Sequence, residues 1–175
     1  MRYLAAIALL LAGSPAAAEV VNSGEHGFEL RHSAIVPLAP EAAMNAFANV
    51  GNWWDGRHSY SGSSTNLGMT LEPGGCFCER LPNGGGIEHL RVSYVDLGKR
   101  LVLTGSLGPL LYEATTGVMD VQFQPVGTGS RVTLNYRVAG FANGGASKLA
   151  PLVDGVIGGL VARYVISTRP PPPAS

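Results

Sequence analysis

The order of its periodic segments is the feature that most constrains how this chain folds. One extended segment precedes a short helical pattern, a long β-rich stretch and a long terminal amphipathic helix. The β-rich stretch, residues 66–138, consists of alternating apolar segments separated by turns rich in Gly and Pro. Because these turns recur about every ten to fifteen residues, they favour antiparallel neighbours over helical crossovers. The order predicts an α+β fold, in which a curved antiparallel sheet of about six to seven strands wraps around the terminal helix.

One strand and one short helix are predicted before the β-rich stretch. From residue 28 to residue 38, apolar residues alternate with polar residues such as Glu29 and Arg31, the pattern of a half-buried strand. Pro40 suits the first turn of a helix, where its missing N–H costs nothing, and Gly51 ends the helical pattern.

The terminal helix is predicted over residues 149–166, where apolar residues repeat at helical spacing along one broad stripe. Asp154 and Arg163 interrupt the apolar run and argue against a membrane span. The opposite face contains three glycines: Gly155, Gly158 and Gly159. An interior glycine costs about 1 kcal/mol relative to Ala. Two interpretations stay open, a small, partly exposed face or a contact between two copies in a homodimer.

Charge and motifs exclude several classes of function. The chain has 12 Lys and Arg against 12 Asp and Glu, and its only lysines are Lys99 and Lys148. Nucleic-acid binding depends on clustered cations, so no nucleic-acid partner is expected. The sequence also lacks a nucleophile elbow, a P-loop, a zinc-protease motif and a dinucleotide fingerprint. These absences disfavour a hydrolase, kinase or oxidoreductase, and no cofactor is predicted.

The first 18 residues have the three parts of an export signal. Arg2 supplies the positive charge, residues 4–12 are apolar, and small residues at 16–18 precede Glu19. The apolar run is shorter than the ~20 residues that span a bilayer. We therefore expect cleavage, no membrane span, and a mature protein that is periplasmic or secreted.

The rest of the chain is long enough for one domain. We assign residues 19–168 to a single domain, which is large enough to bury its own core. Residues 169–175 contain four consecutive prolines and are predicted to form a disordered tail.

Cys76 and Cys78 are the only cysteines. Two positions apart on a strand, they point to one face, but relaxed strand geometry separates their Cα atoms by about 7 Å, near the limit for a disulfide. We therefore expect free thiols. Together with His89 across the hairpin they are candidate metal ligands, but a CxC motif with one His is an incomplete zinc set, and no metal is predicted.

Glu79 and Glu88 face one another across the hairpin loop at 82–86. If both carboxylates enter a cavity, one pKa rises and the pair, with His89, becomes a candidate acid–base group. The alternative is ordinary cross-strand ion pairing on the outer surface, for instance with Arg91. Inward, solvent-shielded side chains would favour chemistry, whereas outward, paired ones would favour binding.

A cavity between the sheet and the terminal helix should be lined mainly by apolar residues. His32 is the polar exception on an apolar strand face and could donate a hydrogen bond there. The candidate ligand-binding residues are His32, Trp54, Leu103, Met119, Val121, Tyr136, Val156 and Leu160.

The order of elements resembles the helix-grip, START-like (SRPBCC) superfamily, in the branch of the polyketide cyclases and heat-shock ATPase activators. Four segments resemble an exported bacterial subgroup of it: residues 53–58, 74–79, 87–92 and 107–110. The resemblance covers roughly residues 26–166. It implies a helix-grip fold with a deep cavity between the sheet and the C-terminal helix, which the superfamily uses for lipids, polyketides and hormones.

Two functions follow from this reasoning. The first is an exported protein that binds a small apolar or amphipathic molecule in the cavity. The alternative is an enzyme of the polyketide cyclase or dehydratase type, with Glu79, Glu88 and His89 as its candidate catalytic residues. The lack of a complete catalytic set favours the first.

Export predicts a mature N-terminus at Glu19, because small residues at positions 16 and 18 are those that signal peptidase reads. N-terminal sequencing of the protein recovered from the periplasm or medium checks this. Recovered protein that still begins at Met1 would contradict it.

Overall fold

The structure is a computed structural model that describes residues 17–170. Most of the predicted export signal (residues 1–16) and of the predicted tail (residues 171–175) lie outside the described residues. The strands are β1 Ala17–Gly24, β2 Gly27–Val36, β3 Leu67–Met69, β4 Cys76–Arg80, β5 Gly86–Asp96, β6 Arg100–Gly105, β7 Thr115–Val126 and β8 Gly129–Gly140. The helices are α1 Pro40–Ala48 and α2 Ala146–Ser167, with short 3-10 turns at Val50–Asn52, Gly56–His58, Ser64–Asn66 and Gly108–Glu113.

The strands form one antiparallel sheet in the order β1-β2-β8-β7-β6-β5-β4-β3. The predicted α+β class, the curved sheet and the long C-terminal helix are confirmed. The described sheet has eight strands, more than the six to seven predicted. The sequence pattern did not predict strand β1, because this strand is mostly exposed at the sheet edge and lacks regular apolar alternation.

Element boundaries differ modestly from the predicted ones. Strand β2 ends at Val36, before Pro37, which lacks an N–H for the ladder. Helix α1 ends at Ala48, and Gly51 lies within the following 3-10 turn. Helix α2 begins at Ala146 and accommodates Pro151 in its second turn.

Strand β5 contains two irregularities that decide which side chains face the core. Between β4 and β5 the register passes from Phe77↔Leu90 to Cys78↔Glu88, so His89 is an extra residue without a partner. His89 and Leu90 are consequently both buried. A second shift leaves Ser93 unpaired opposite β6. Such bulges break the inward–outward alternation from which a sequence-based assignment starts.

Helix α2 lies on the inner face of the sheet and contacts β1 and β2. It buries Ile157, Leu160, Val161 and Tyr164, while the Tyr164 hydroxyl donates a 2.8 Å hydrogen bond to the Ala43 carbonyl of α1. By length and composition α2 could cross a membrane. In this structure its apolar stripe packs on the sheet.

The glycines of α2 differ in their surroundings. A methyl group added at Gly158 would lie 3.1 Å from Cε1 of His32, whereas methyl groups at Gly155 or Gly159 would meet nothing within 4 Å. Gly158 therefore allows close approach of the helix to β2. The homodimer contact through this face stays a prediction.

This difference predicts opposite outcomes for matched substitutions. Gly155→Ala and Gly159→Ala should each raise the free energy of unfolding by about 0.5–1 kcal/mol, because Ala loses less backbone entropy in a helix. The free energy of unfolding of Gly158→Ala should be no higher than that of the wild type, because the added methyl group would press on the His32 ring. Urea denaturation checks this, and equal gains at all three positions would show that α2 does not approach His32 closely.

Candidate functional site

A cavity of about 390 Å³ lies between the first half of α2, the loop after Trp54 and the 3-10 segment Gly108–Glu113. Its wall is mainly apolar: Trp54, Leu107, Pro109, Leu110, Leu149, Leu152, Val153, Val156 and Ile157. The polar side chains in its lining are Arg57, His58, Ser59, Tyr60 and Glu113. A second space of the same volume, near His26 and Phe141, has a more polar wall. We therefore take the first as the candidate site and call it the α2 cavity.

Only two of the predicted ligand-binding residues, Trp54 and Val156, line the α2 cavity. Met119 and Leu160 instead line a void of about 20 Å³ deeper in the core, which Trp54 and Ile157 also border. The remaining candidates, His32, Leu103, Val121 and Tyr136, are buried and line neither space.

An aromatic cluster explains why the centre of the helix–sheet interface is closed. The ring of Phe47 lies 5.2 Å from that of Trp53 and 5.4 Å from that of Tyr164, measured between centroids. The ring of Trp53 also lies 5.7 Å from that of Tyr164. Large side chains thus fill most of the space that the sequence-based prediction assigned to a ligand and leave the void of about 20 Å³, while the larger α2 cavity lies beside the first half of α2.

The adjacent tryptophans have different positions. The indole N–H of Trp53 points into the core and donates to the Phe47 carbonyl at 3.1 Å. The indole N–H of Trp54 donates to the His58 carbonyl at 2.8 Å and closes the loop that follows. Trp54 also packs edge-on against Phe77, so it forms a rigid part of the cavity wall.

Asp55 attaches this loop to α2. Its carboxylate accepts from the Arg57 backbone N–H at 3.0 Å and lies 2.7 Å from the Arg57 guanidinium and 3.1 Å from that of Arg163. Hydrogen bonds from Arg57, supported by the charge of Arg163, hold the pKa of Asp55 well below its usual range. The loop is therefore joined to the second half of α2 through Arg163.

Glu79 attaches the same loop to the sheet. Its Oε2 accepts from the Tyr60 backbone N–H at 3.1 Å, and its Oε1 accepts from the Ser61 N–H. The same carboxylate lies 3.0 Å from Nε2 of His89, and both side chains are almost fully buried. Burial alone would raise the pKa of Glu79, but the donors on Ser61, Tyr60 and His89 together lower it.

His89 is a buried imidazole with one unpartnered nitrogen. Burial lowers its pKa against the opposing influence of Glu79. In the neutral ring, Nε2–H donates to the Glu79 carboxylate, so Nδ1 is the acceptor. Nδ1 is buried and has no hydrogen-bond partner within the described residues. The arrangement is an oriented imidazole with a free basic nitrogen, which is the form a general base takes.

The Glu79–His89 pair does not line the α2 cavity. Tyr60 is the cavity residue that contacts it, through its backbone N–H to Glu79 and a ring centroid 6.0 Å from that of His89. A molecule in the cavity therefore meets Tyr60 before it meets the pair.

Glu88 does not line the α2 cavity, and of the two arrangements that the sequence left open for it, it adopts the outward, paired one. The bulge at His89 turns Glu88 to the outer face, where its carboxylate accepts from Arg91 Nε at 3.1 Å. The catalytic candidates are therefore divided: Glu79 and His89 meet inside, and Glu88 is paired outside.

The prediction of free thiols is also wrong, because Cys76 and Cys78 form a disulfide. Their Cα atoms lie 5.3 Å apart, within the usual range for a disulfide and shorter than a relaxed strand allows. The contraction coincides with the register shift opposite Phe77 and Cys78. His89 faces the opposite side of the sheet, so the ligand set Cys76, Cys78 and His89 does not assemble.

His32 lies under α2 instead of in the cavity. Its Nε2 is 2.9 Å from Oδ1 of Asp154, and it is almost fully buried. Burial lowers its pKa, with Asp154 acting in the opposite direction. His32 therefore lies at the contact between α2 and β2, beside Asp154 and Gly158.

Sequence reasoning missed most of the cavity wall. Leu149, Val153 and Val156 follow the helical stripe, and their spacing was visible. The contribution of the segment at residues 107–110 was not predicted, although its Gly-Pro pair indicated irregular structure. Nothing in the local sequence connects Asp55 with Arg163, because that contact depends on tertiary packing.

The curved sheet around a long C-terminal helix places the protein in the helix-grip class of α+β folds. Protein Mll3558 from Rhizobium loti is similar to it, with a TM-score of 0.60 and 19% identity over 81% of this chain and 96% of the other. CalU16 from Micromonospora echinospora has a TM-score of 0.56 and 9% identity over 89% and 84% of the two chains.

DynU16, a protein in the dynemicin biosynthetic locus, has a TM-score of 0.54 and 12% identity. The match covers 79% of this chain and 46% of DynU16. No protein-family model and no curated protein matches this sequence. At these identities the likeness establishes the fold.

The buried histidines predict that stability falls as pH falls. For His32 and His89, whose folded pKa values are lowered, the unfolded chain takes up protons below its ordinary pKa of 6.5 while the folded protein does not. The two histidines therefore contribute fully to the free energy of unfolding above pH 6.5, and their contribution decreases below that pH. Glu79, also lowered, acts in the same direction at lower pH. Urea titrations between neutral pH and about pH 5 should show this slope, and His89→Gln should reduce it. A slope unchanged in His89→Gln would contradict the assignment.

Proposed function

We propose that this protein is an exported binding protein for a small apolar or amphipathic molecule, held in the α2 cavity. The observation that carries the proposal is a cavity of about 390 Å³ with a mainly apolar wall. Sites for small molecules have volumes of about 300–1,000 Å³ and a few placed polar groups. Export is supported by the signal-like sequence of residues 1–18.

The distribution of polar groups favours an amphipathic ligand. The Arg57 guanidinium is largely exposed at the loop, although it is paired with Asp55. Glu113 accepts from the Asn143 backbone N–H at 2.8 Å, and Tyr112, next to it, is 74% exposed. A ligand would bury its apolar part against α2 and keep a polar group near these residues.

Two carboxylates anchor the loop that forms part of the cavity wall. Asp55 joins the loop to α2, and Glu79 joins it to the sheet. A site that is already ordered loses less conformational entropy on binding, which increases affinity. The position of Glu79 is accordingly explained by loop anchoring without a chemical step.

A second candidate function is acid–base catalysis of the cyclase or dehydratase type. The observation that favours it is the inward, shielded Glu79–His89 pair with a free Nδ1. Catalysis requires contact with the reacting atoms, and this pair is absent from the cavity lining. Binding is therefore the preferred function. Catalysis would require Tyr60 to move, so that a molecule in the cavity reaches the Glu79–His89 pair.

Filling the α2 cavity should weaken ligand binding. Val156→Trp should weaken binding of the uncharged fluorescent probe N-phenylnaphthylamine by at least about tenfold, equivalent to about 1.4 kcal/mol. The larger side chain should lower the free energy of unfolding by about 1–3 kcal/mol through overpacking. Fluorescence titration measures the affinity, and circular dichroism confirms folding. Leu160→Trp is a poorer test because Leu160 is buried beside the 20 Å³ void.

Ile166→Trp provides the matched control, since Ile166 lies on the same helix, is 62% exposed and does not line the cavity. It should bind the probe as wild type does. His89→Gln should also retain probe affinity, while an enzyme would lose turnover in this variant. Wild-type affinity in a folded Val156→Trp protein would overturn the binding site. Native mass spectrometry of protein taken from its own periplasm would identify a retained molecule.

A further inference from the structure

The outer face of the sheet carries a second cluster of reactive groups, on the side opposite the α2 cavity. We call Cys76, Cys78, Glu88 and Arg91 the outer patch. Phe77 and Glu79, which alternate with the cysteines, face the core, so the two sites are separated by the sheet. The proposed binding function does not involve the outer patch.

Three potential metal ligands converge in the outer patch. The two Sγ atoms and one carboxylate oxygen of Glu88 all lie within 4.8 Å of one another. Sγ of Cys76 is 4.0 Å from Oε2 of Glu88. Zinc binds thiolate sulfur at about 2.3 Å and carboxylate oxygen at about 2.0–2.2 Å. These three atoms can therefore share one ion once reduction has broken the sulfur–sulfur bond and the two sulfur atoms have moved apart.

Arg91 holds the carboxylate over the cysteines. Its Nε donates to Oε1 of Glu88 at 3.1 Å, and one terminal nitrogen donates to the Gly74 carbonyl at 3.0 Å. Arg91 is also the cross-strand partner of Cys76, as Glu88 is of Cys78. A neighbouring cation favours the thiolate form of cysteine, the form that binds metal. Two thiolates and one carboxylate carry three negative charges, one more than a divalent cation neutralises. The positive charge of Arg91 offsets this excess.

Space for a further ligand remains beside Cys78. Its other cross-strand neighbour is Gly68 on β3, and a methyl group added there would meet nothing within 4 Å. Cys76 and Cys78 are half-buried, and the glycine leaves room beside Cys78 for a water molecule that completes a tetrahedral set.

We propose that reduction of the Cys76–Cys78 disulfide converts the outer patch into a binding site for a thiophilic divalent cation such as Zn²⁺. The disulfide accepts two electrons and two protons from an external dithiol, which itself becomes a disulfide. The cation then displaces both thiol protons and is bound by the two thiolates, one Glu88 oxygen and a water molecule. The disulfide form has no thiolate and binds no ion, so the site depends on the redox state.

The test compares oxidised protein with protein reduced by a phosphine and desalted without oxygen. Zn²⁺ affinity is measured by competition with a chromogenic chelator, and Cd²⁺ gives a direct thiolate charge-transfer absorption. Reduced wild type should bind one ion per chain, whereas the oxidised protein should bind none. Cys76→Ser should abolish binding, and Glu88→Gln should weaken it by at least about tenfold.

Glu29→Gln is the matched control, because Glu29 lies on the distant strand β2 and its neighbours Phe28 and Leu30 face the core. It should retain wild-type affinity. Glu88 is exposed, so its substitution leaves the core intact, which thermal unfolding verifies. Absence of binding by reduced protein, equal binding by oxidised protein, or unchanged affinity in Glu88→Gln would each overturn the site.

Discussion

The extra residue at position 89 of β5 changes the direction of the side chains around it. Because His89 and Leu90 both face the core, Glu88 is turned outward and the buried Glu79 on β4 meets an imidazole instead of a second carboxylate. Two inward carboxylates would repel one another, whereas a carboxylate and an imidazole satisfy each other by a hydrogen bond. The bulge thus produces the buried pair inside and the ion pair of Glu88 with Arg91 outside.

The cavity wall depends on this pair through the loop after the tryptophans. Glu79 accepts hydrogen bonds from Tyr60 and Ser61, and Asp55 at the start of the loop contacts Arg163 of α2. Hydrogen bonds to an ionised carboxylate are stronger than neutral ones, and a buried carboxylate would be costly without them. The loop is consequently held between helix and sheet, and the open space beside it keeps its shape.

How much could be predicted from the sequence depends on how local the determining interaction is. The α2 stripe and the strands of the meander were predictable, because each reflects a repeated spacing of apolar residues. Strand β1 was missed because an exposed edge strand needs no such spacing. The orientation of Glu88 and the Cys76–Cys78 bond depend on a one-residue register shift, which alternation alone cannot predict. The position of the cavity depends on how completely Phe47, Trp53 and Tyr164 fill the core.

The edges of the described sheet bear on whether molecules of this protein remain separate. An open sheet leaves unpaired N–H and C=O groups on its outermost strands, and these can pair with another chain. One edge strand, β3, is only three residues long, and the other, β1, has an irregular register between Val20 and Asn22. Short and irregular edges make poor templates for a further strand. Within the described residues, both edges of the sheet are therefore poor sites for the addition of a strand from a second molecule.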